Sequence, residues 1–270
     1  MAATPRTIHV GRERLAVSVK ERIAGPDLVL FVHGIGCVKE SFDGAWEAEE
    51  LSGYSLLAPD LPGHGASPLA DGFACGMEDF AAVLGGLLGH YRFEHLHVVA
   101  HSLGGVPGLL LAGMQEFSPV SFTNIEGNLV AEDCGMLSRR AASMPFEAFR
   151  DVNFRRLLPA AAQSEDPAMR LWAGWAKSAD PRAFYLGAVS LVEWSDDGRL
   201  LDMYRALAIP RLYVYGERSA NPAAIEAIRD LPMEEIPDCG HFVMNERPDL
   251  FYPLLAHFIR TGFSSRSRGR

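Results

Sequence analysis

One serine lies in a sequence context that can turn a hydroxyl group into a nucleophile. Ser102 stands in the string AHSLGG (residues 100–105), after an apolar run typical of a buried strand and before an apolar run typical of a helix. A strand-to-helix turn this tight strains the backbone at the nucleophile, so small residues are needed two positions before and after it. Ala100 and Gly104 meet that need, although the usual string is G-x-S-x-G. The string also fits an ordinary serine helix cap.

A second string supports the nucleophile reading. The residues HGIG (33–36) directly follow an apolar run at 28–32. Glycines in such a turn let a backbone N–H group point toward a developing oxyanion, and the helix that begins behind Ser102 adds a positive dipole end. The paired strings predict the backbone N–H groups of Ile35 and Leu103 as the two oxyanion donors. An ordinary glycine-rich turn would leave the pairing unexplained.

One histidine is suited to act as the base for this serine. His241 lies in the string GHF (240–242), after a short run at 233–236 and before a C-terminal helical pattern. A neutral imidazole in that place can take the serine proton and return it to the leaving group. The sequence therefore predicts Ser102 as nucleophile and His241 as base.

These residues need a scaffold, and the hydrophobic pattern predicts one. Near-continuous apolar runs, typical of strands covered on both faces, occur at 28–32, 54–58, 96–100, 120–125 and 211–215. Helical patterns between them occur at 77–88, 103–116 and 222–228. The alternation predicts a mostly parallel sheet with helices on both sides. Segments 7–10 and 14–19 are expected to form an antiparallel hairpin at its edge.

Residues 127–205 interrupt this alternation. The stretch has no clear strand run, is mainly helical in pattern and is rich in aromatic residues. We expect it to form a helical cap over an α/β core made of residues 1–126 and 206–262. Additional core is the other reading, because aromatic density fits both. Residues 263–270 are polar and basic and are expected to form a frayed tail.

Composition limits the class of protein. The hydrophobic fraction of 48% argues for a folded chain, and the net charge of -9 argues against a nucleic-acid partner. The N-terminus lacks the apolar stretch of a signal peptide, and no run reaches the length of a membrane span. The cysteines are scattered without zinc-site spacing and predict reduced thiols in a cytoplasmic protein: Cys37, Cys75, Cys134 and Cys239. No metal or cofactor is implied.

Taken together, the motifs resemble the α/β-hydrolase superfamily in its capped form. The string DLPGHGAS (60–67) resembles that family's D-x-x-G-x-G-x-S loop after the fourth strand, and the GHF string with Glu246 and Pro248 resembles its C-terminal histidine loop. The resemblance extends from residue 29 to about residue 258, apart from most of the predicted cap. It implies an α/β fold with a mostly parallel, eight-stranded type of sheet flanked by helices and carrying a helical cap insertion.

One position departs from the family's pattern. The family usually carries an aspartate as G-x-x-D after the strand that precedes the histidine, but here the string is GERS (216–219). Ser219 cannot stabilise an imidazolium as a carboxylate does. Some members of the family, including part of the haloalkane dehalogenase group and some lactone hydrolases, place the acid one strand earlier. We therefore expect Glu126 to be the acid, with Glu217 as its rival.

The resemblance then implies acyl transfer, because dehalogenases of this fold use aspartate where this chain has Ser102. We expect a serine hydrolase that cleaves a small to medium apolar carboxylic ester or lactone through an acyl-enzyme. A C–C bond hydrolase of diketone-like substrates, haloperoxidase-like or lyase chemistry, and a receptor-like member with incidental hydrolysis stay open. The side chains expected to line the substrate pocket from the cap are Leu129, Trp172, Trp175 and Trp194. The sequence leaves the physiological substrate, the oligomeric state and cap motion open.

Overall fold

An eight-stranded sheet runs through the centre of the molecule. The computed structural model describes residues 4–262, apart from the side chains of Thr4 and Met136. In chain order the strands are β1 (Thr4–Val10), β2 (Glu13–Arg22), β3 (Asp27–Val32), β4 (Ser55–Pro59), β5 (His95–His101), β6 (Ser121–Ile125), β7 (Arg211–Gly216) and β8 (Met233–Ile236). Their order across the sheet is β1-β2-β4-β3-β5-β6-β7-β8.

The strand directions confirm the mostly parallel sheet and its edge hairpin. Strands β1 and β2 pair antiparallel around a turn that begins at Gly11, and β2 pairs antiparallel with β4. All other neighbours are parallel. After β3 the chain places β4 on one side and β5 on the other, so the strand order reverses between β3 and β5. Ligand sites of parallel sheets gather beyond the carboxyl ends of the strands at such a reversal.

Helices cover the sheet and occupy most of the remaining chain. The helices are α1 (Gly44–Glu47), α2 (Met77–Leu88), α3 (Gly105–Ala112), α4 (Met136–Ala142), α5 (Phe146–Ala148), α6 (Arg155–Ala162), α7 (Pro167–Ala176), α8 (Pro181–Asp196), α9 (Arg199–Ala206), α10 (Pro222–Ala227), α11 (Val243–Glu246) and α12 (Pro248–Thr261). A π-helical segment, Phe149–Phe154, joins α5 to α6. The helix predicted at 103–116 ends earlier, at Ala112, because Gly113 follows and glycine has low helix propensity.

Six helices, α4 to α9, lie between β6 and β7, and no strand occurs there among the described residues. Two of these helices, α7 and α8, begin at Asp-Pro pairs. The carboxylates of Asp166 and Asp180 accept hydrogen bonds from backbone N–H groups in the first turns of α7 and α8, and the first residue of each helix is a proline. The division into core and cap remains a prediction, because one continuous cluster of buried side chains includes Phe122 of the sheet and Phe184 of α8.

The apolar runs explain where the core lies. Residues 28–32 of β3 are almost completely buried, as expected for a strand covered by helices on both faces. All four cysteines are buried and unpaired within the described part of the chain. Among residues 4–262, none of the helices combines the length and apolar character needed to cross a membrane. The predicted tail, 263–270, lies outside the described residues.

Candidate active site

The turn after β5 holds Ser102 in a strained conformation. Ser102 has φ +52°, which is in the left-handed region, and a tight turn, Ser102–Gly104, leads into α3. A Cβ atom on Gly104 would lie 2.6 Å from the carbonyl oxygens of Val32 and His33. No side chain fits there, because the start of α3 packs directly on the backbone that follows β3. The glycine of the sequence string is therefore a steric requirement of this elbow.

The glycine-rich turn after β3 lies against the elbow. The Cys37 N–H donates to the Gly34 carbonyl at 3.1 Å, which closes a four-residue turn, and Gly36 has φ +68°. A Cβ atom on Gly34 would lie 3.0 Å from the Cβ of Ser102. Within the described chain the Ile35 N–H has no hydrogen-bond acceptor. The Leu103 N–H belongs to the first turn after the strand, where helical N–H groups have no partner within the helix.

Sheet register brings the predicted acid beside the serine. His101 of β5 pairs with Ile125 of β6, so the next residues, Ser102 and Glu126, leave the sheet at the same level. Glu126 also has a left-handed backbone, with φ +46°. Its N–H donates to the Val214 carbonyl of β7 at 3.0 Å, which holds the strained backbone in place. Strained residues of this kind cluster at functional sites.

Glu126 contacts the predicted base directly. The Nδ1 atom of His241 lies 2.6 Å from Oε2 of Glu126, and the glutamate side chain is only 8% exposed. Donation from Nδ1–H to the carboxylate leaves Nε2 facing away from Glu126 and available to accept a proton. No hydrogen bond joins Ser102 to His241 among the described residues. In ligand-free sites such bonds are often long and tighten when substrate binds.

Ser219 contributes to the site as a hydrogen-bond donor, whereas the family usually has an aspartate at this position. Its hydroxyl donates to Oε1 of Glu126, and the Gly216 N–H donates to the same oxygen at 2.8 Å. In the family, position 219 usually supplies the acid itself. In this protein it supplies a hydroxyl group that donates a hydrogen bond to the predicted acid, Glu126. The rival carboxylate, Glu217, accepts the Asp238 N–H at 3.0 Å instead. The structure thus brings Glu126, and not Glu217, to the histidine.

His101 connects the elbow to the histidine loop, a role that the sequence analysis did not predict. Its Nε2–H donates to the backbone carbonyl of His241 at 2.9 Å, and the two rings lie 4.6 Å apart between centroids. Burial, followed by the nearby His241, holds the pKa of His101 well below its ordinary value. The imidazole is therefore neutral and acts as a donor at Nε2. Adjacency to Ser102 was the one signal of this role in the sequence.

The loop at 60–67 stabilises the turn at 33–36 and the residues after it through hydrogen bonds. None of the residues of this loop lines the cavity that contains Ser102. The Leu61 N–H donates to Nε2 of His33 at 2.9 Å, and burial lowers the pKa of His33 to about 4. The buried carboxylate of Asp60 accepts both the backbone N–H and the ammonium group of Lys39, at 2.8 and 2.6 Å. These bonds fix the segment that carries Ile35.

One cavity of about 710 Å³ contains the three predicted catalytic side chains, Ser102, Glu126 and His241. That volume suits a small to medium organic ligand. Its apolar wall includes Ile35, Met169, Trp172, Leu191 and Phe242. Carboxylates that the sequence analysis did not single out also line it: Glu132, Asp133 and Asp166. No lysine or arginine lines it among the residues that the structure describes.

Of the four cap side chains expected in the pocket, the structure places one there. Trp172 lines the cavity, whereas Leu129, Trp175 and Trp194 do not. Leu129 is buried in the core, and Trp175 packs edge-on against Phe242 at 5.8 Å between ring centroids. The Trp194 N–H donates to Glu78 of α2 at 3.2 Å. These three side chains are committed to packing between elements, which local sequence could not indicate.

A second cavity of about 710 Å³ is lined by residues of the segments 134–143 and 152–160. It is lined by Arg139, Arg140, Arg156 and Leu157, among others. Leu137 of α4 lines both cavities and therefore forms part of the wall between them.

Comparison with known proteins places this geometry in a family. Residues 29–254 match the model of the Alpha/beta hydrolase family. The chain is similar to the magnesium-chelatase 30 kDa subunit of Rhodobacter capsulatus, with 27% identity over 238 residues and 81% of each chain covered. Its structure is similar to a thermophilic esterase from Thermogutta terrifontis, with 20% identity, a TM-score of 0.77 and 97% and 99% of the two chains covered.

A variant of the N-acyl homoserine lactonase AidH has a TM-score of 0.73 to this structure at 18% identity, with 99% and 100% of the two chains covered. At these identities the solved structures show a shared fold. The family model covers most of the chain, including the elbow, Glu126 and the histidine loop. The chain therefore belongs to the Alpha/beta hydrolase family.

Proposed function

We propose that this protein is a serine hydrolase that cleaves small to medium, apolar and uncharged carboxylic esters or lactones through an acyl-enzyme. The observation that carries the proposal is the 2.6 Å contact between Glu126 and Nδ1 of His241, in a cavity that Ser102 also lines. A carboxylate at Nδ1 orients the imidazole and stabilises the imidazolium that forms when the ring takes a proton.

The first half of the reaction forms the acyl-enzyme. Nε2 of His241 takes the proton of Ser102 as the serine oxygen attacks the substrate carbonyl carbon. The tetrahedral oxyanion accepts hydrogen bonds from the backbone N–H groups of Ile35 and Leu103. The helix that begins behind Ser102 adds the positive end of its dipole. The C–O bond to the leaving group then breaks, and the imidazolium gives its proton to the departing alkoxide.

The second half releases the acid. Water enters, loses a proton to His241 and attacks the acyl carbon, which forms a second tetrahedral intermediate. The bond between the Ser102 oxygen and the acyl carbon then breaks, and the proton on His241 returns to the serine oxygen as the acid leaves. With an open-chain ester the alcohol leaves after the first half. With a lactone the alcohol stays tethered to the acyl group, so the product is a hydroxy acid.

The lining of the cavity supports the substrate class. Apolar side chains such as Met169, Trp172 and Leu191 favour an apolar acyl group. Three carboxylates besides Glu126 and the absence of lysine and arginine among the described lining residues disfavour an anionic substrate. The names of two similar structures, an esterase and an N-acyl homoserine lactonase, support acyl transfer from esters and lactones.

Turnover of p-nitrophenyl esters of increasing acyl length, together with p-nitrophenyl hemisuccinate as the anionic member, tests the proposal. We expect hydrolysis of the uncharged esters and weak hydrolysis of the hemisuccinate. Ser102→Ala should lose at least about a thousandfold in kcat. Ser178→Ala, at an exposed serine outside the cavity, should keep wild-type rates.

Labelling by a fluorophosphonate gives an independent measurement at the same residue. Turnover and labelling that both disappear in Ser102→Ala support a serine hydrolase. A wild-type protein that hydrolyses no ester or lactone and is not labelled would overturn the proposal. Labelling without ester turnover would remove the ester assignment while keeping the nucleophile.

A further inference from the structure

The indole of Trp172 contacts the backbone of the turn that carries Ile35. Its Nε1–H donates to the Ile35 carbonyl at 2.9 Å, and the side chain is 2% exposed. The same ring covers Gly36, because a Cβ atom there would lie 2.8 to 3.0 Å from three indole atoms. One side chain of α7 thus contacts both central residues of the turn, from an element more than a hundred residues away in the chain.

The turn can change conformation without breaking its closing hydrogen bond, by a flip of its central peptide. Its closing bond, from the Cys37 N–H to the Gly34 carbonyl, is compatible with type I and type II turns, which differ in the orientation of the central peptide. Gly36, with φ +68°, and Ile35, which has no positive φ, match type II. Glycine adopts positive and negative φ about equally well, so Gly36 by itself does not fix this peptide.

The bond from Trp172 does fix it. The Ile35 carbonyl belongs to the central peptide, and a flip of that peptide would turn the oxygen away from the indole N–H. A flip would leave a buried donor on Trp172 unsatisfied, which is costly in an apolar environment. The Ile35 N–H is carried by the same residue as this carbonyl, so the bond from the indole also anchors the residue that supplies the donor.

We propose that Trp172 is a positioning residue of the oxyanion site: its indole N–H anchors the Ile35 carbonyl in the 34–37 turn, and thereby holds the Ile35 backbone with its N–H in the position needed to stabilise the oxyanion. The inference rests on the proposed function of the site. It differs from a substrate-binding role, because the bond acts on the backbone of the turn. It also makes the placement of α7 a condition for an intact oxyanion site.

Trp172→Phe removes the N–H donor and keeps an aromatic ring. Tyr185→Phe is the matched control, because the Tyr185 hydroxyl donates to the Met144 carbonyl at 3.0 Å and Tyr185 does not line the cavity. Each variant loses one hydrogen bond from a side chain of the helical insertion to a backbone carbonyl, that of Ile35 or that of Met144. Incorporation of β-(3-benzothienyl)alanine at position 172 replaces the N–H by sulfur while keeping the bicyclic shape, which covers the case in which Trp172→Phe folds poorly.

Kinetics on the preferred ester separate positioning from substrate binding. Because the oxyanion exists only beyond the ground state, loss of a positioning bond lowers kcat and kcat/KM together. We expect both to fall about threefold to tenfold, with KM unchanged, in each variant at position 172. Tyr185→Phe should keep all three values. A rise in KM with an unchanged kcat would overturn the proposal in favour of a substrate contact.

NMR of the turn provides a readout that does not depend on activity. A type II turn places the Ile35 Hα close to the Gly36 amide proton and a type I turn separates them, so the NOE between these protons reports the orientation of the central peptide. In both variants at position 172 this NOE should weaken relative to the NOE between the Val98 Hα and the Val99 amide proton in β5, and Tyr185→Phe should leave the ratio unchanged. An unchanged ratio in the variants at position 172 would overturn the inference even if esters are hydrolysed. A wild type without hydrolase activity would overturn the proposed function, and the NOE ratio would then decide between a turn held by Trp172 and one that is not.

Discussion

In the proposed active site, two residues share the role that the family usually assigns to one aspartate. Glu126 supplies the carboxylate from the end of β6, and Ser219 supplies a donor from beyond β7. The adjacency of β6 and β7 makes this exchange possible, since both positions lie at the same edge of the sheet. Ser102 and Glu126 both hold left-handed backbones, which cost on the order of 1–3 kcal/mol each, so surrounding bonds must maintain them.

Replacement of Glu126 tests this arrangement. In Glu126→Gln the amide keeps the size of the side chain but cannot stabilise an imidazolium, so kcat should fall about a hundredfold or more. Glu217→Gln should stay within about twofold of wild type, because Glu217 contacts Asp238 instead. Steady-state kinetics with circular dichroism as a check on folding would measure both.

The reverse pattern, with full activity in Glu126→Gln and loss in Glu217→Gln, would contradict the assignment of the acid. A second carboxylate offers a further check on position. Since Ser219 lies within hydrogen-bond distance of Glu126, adding Ser219→Asp to Glu126→Gln should restore part of the lost activity.

Helices α4 and α7 contribute different walls to the cavity. Helix α7 carries Trp172, which contacts the turn at 34–37, and α4 carries Leu137, which lines both the cavity that contains Ser102 and the arginine-lined one. The length of substrate that the site accepts should therefore depend on α4, whereas the oxyanion site should depend on α7.

Leu137→Ala tests whether α4 sets the length of the acyl group. Shortening this side chain should join the two cavities and shift the preferred p-nitrophenyl ester to a longer acyl chain. Each further methylene buried should raise kcat/KM up to about fourfold, because burial of a methylene stabilises by about 0.8 kcal/mol. Leu157→Ala is the control, since Leu157 lines only the second cavity. Equal chain-length profiles in wild type and Leu137→Ala would refute this role.

Four buried histidines, in or just after the adjacent strands β3, β4 and β5, affect the stability of the whole molecule. Burial lowers the pKa of His33 and His97 to about 4 and that of His64 to about 3, and it holds the pKa of His101 well below its usual range. Each of these rings is protonated more readily in the unfolded chain than in the folded one. Between about pH 6.5 and pH 4 the unfolded chain therefore binds more protons, and stability falls as the pH falls through that range.

His97 allows this dependence to be measured away from the candidate active site. Its Nδ1 lies 2.7 Å from the Ser121 hydroxyl, and His97 does not line the cavity that contains Ser102. The free energy of unfolding, from urea titrations between pH 7.5 and pH 4, should decrease toward acid pH. His97→Gln should reduce that slope by up to about 1.4 kcal/mol per pH unit, the value for one proton. His90→Gln, at an exposed position, should leave it unchanged, and equal slopes in all three proteins would count against the prediction.

The sequence by itself determined the features that depend on neighbouring residues. Apolar runs predicted the main strands, and the edge hairpin and the sheet type followed from pattern and connection length. Small residues around Ser102 predicted the elbow, because the steric demand of a tight turn acts within a few positions. The glycines after β3 were equally readable, since the need for a bare backbone there is local.

Only the tertiary structure decided between residues that look alike in sequence. Glu126 and Glu217 both follow strands, yet only the first reaches His241, 115 residues away. Trp172 and Trp175 lie on one helix, yet only Trp172 faces the cavity. Such choices depend on strand order, register and the placement of α7 against the sheet. The energies that decide them come from contacts between distant segments, which local sequence patterns do not contain.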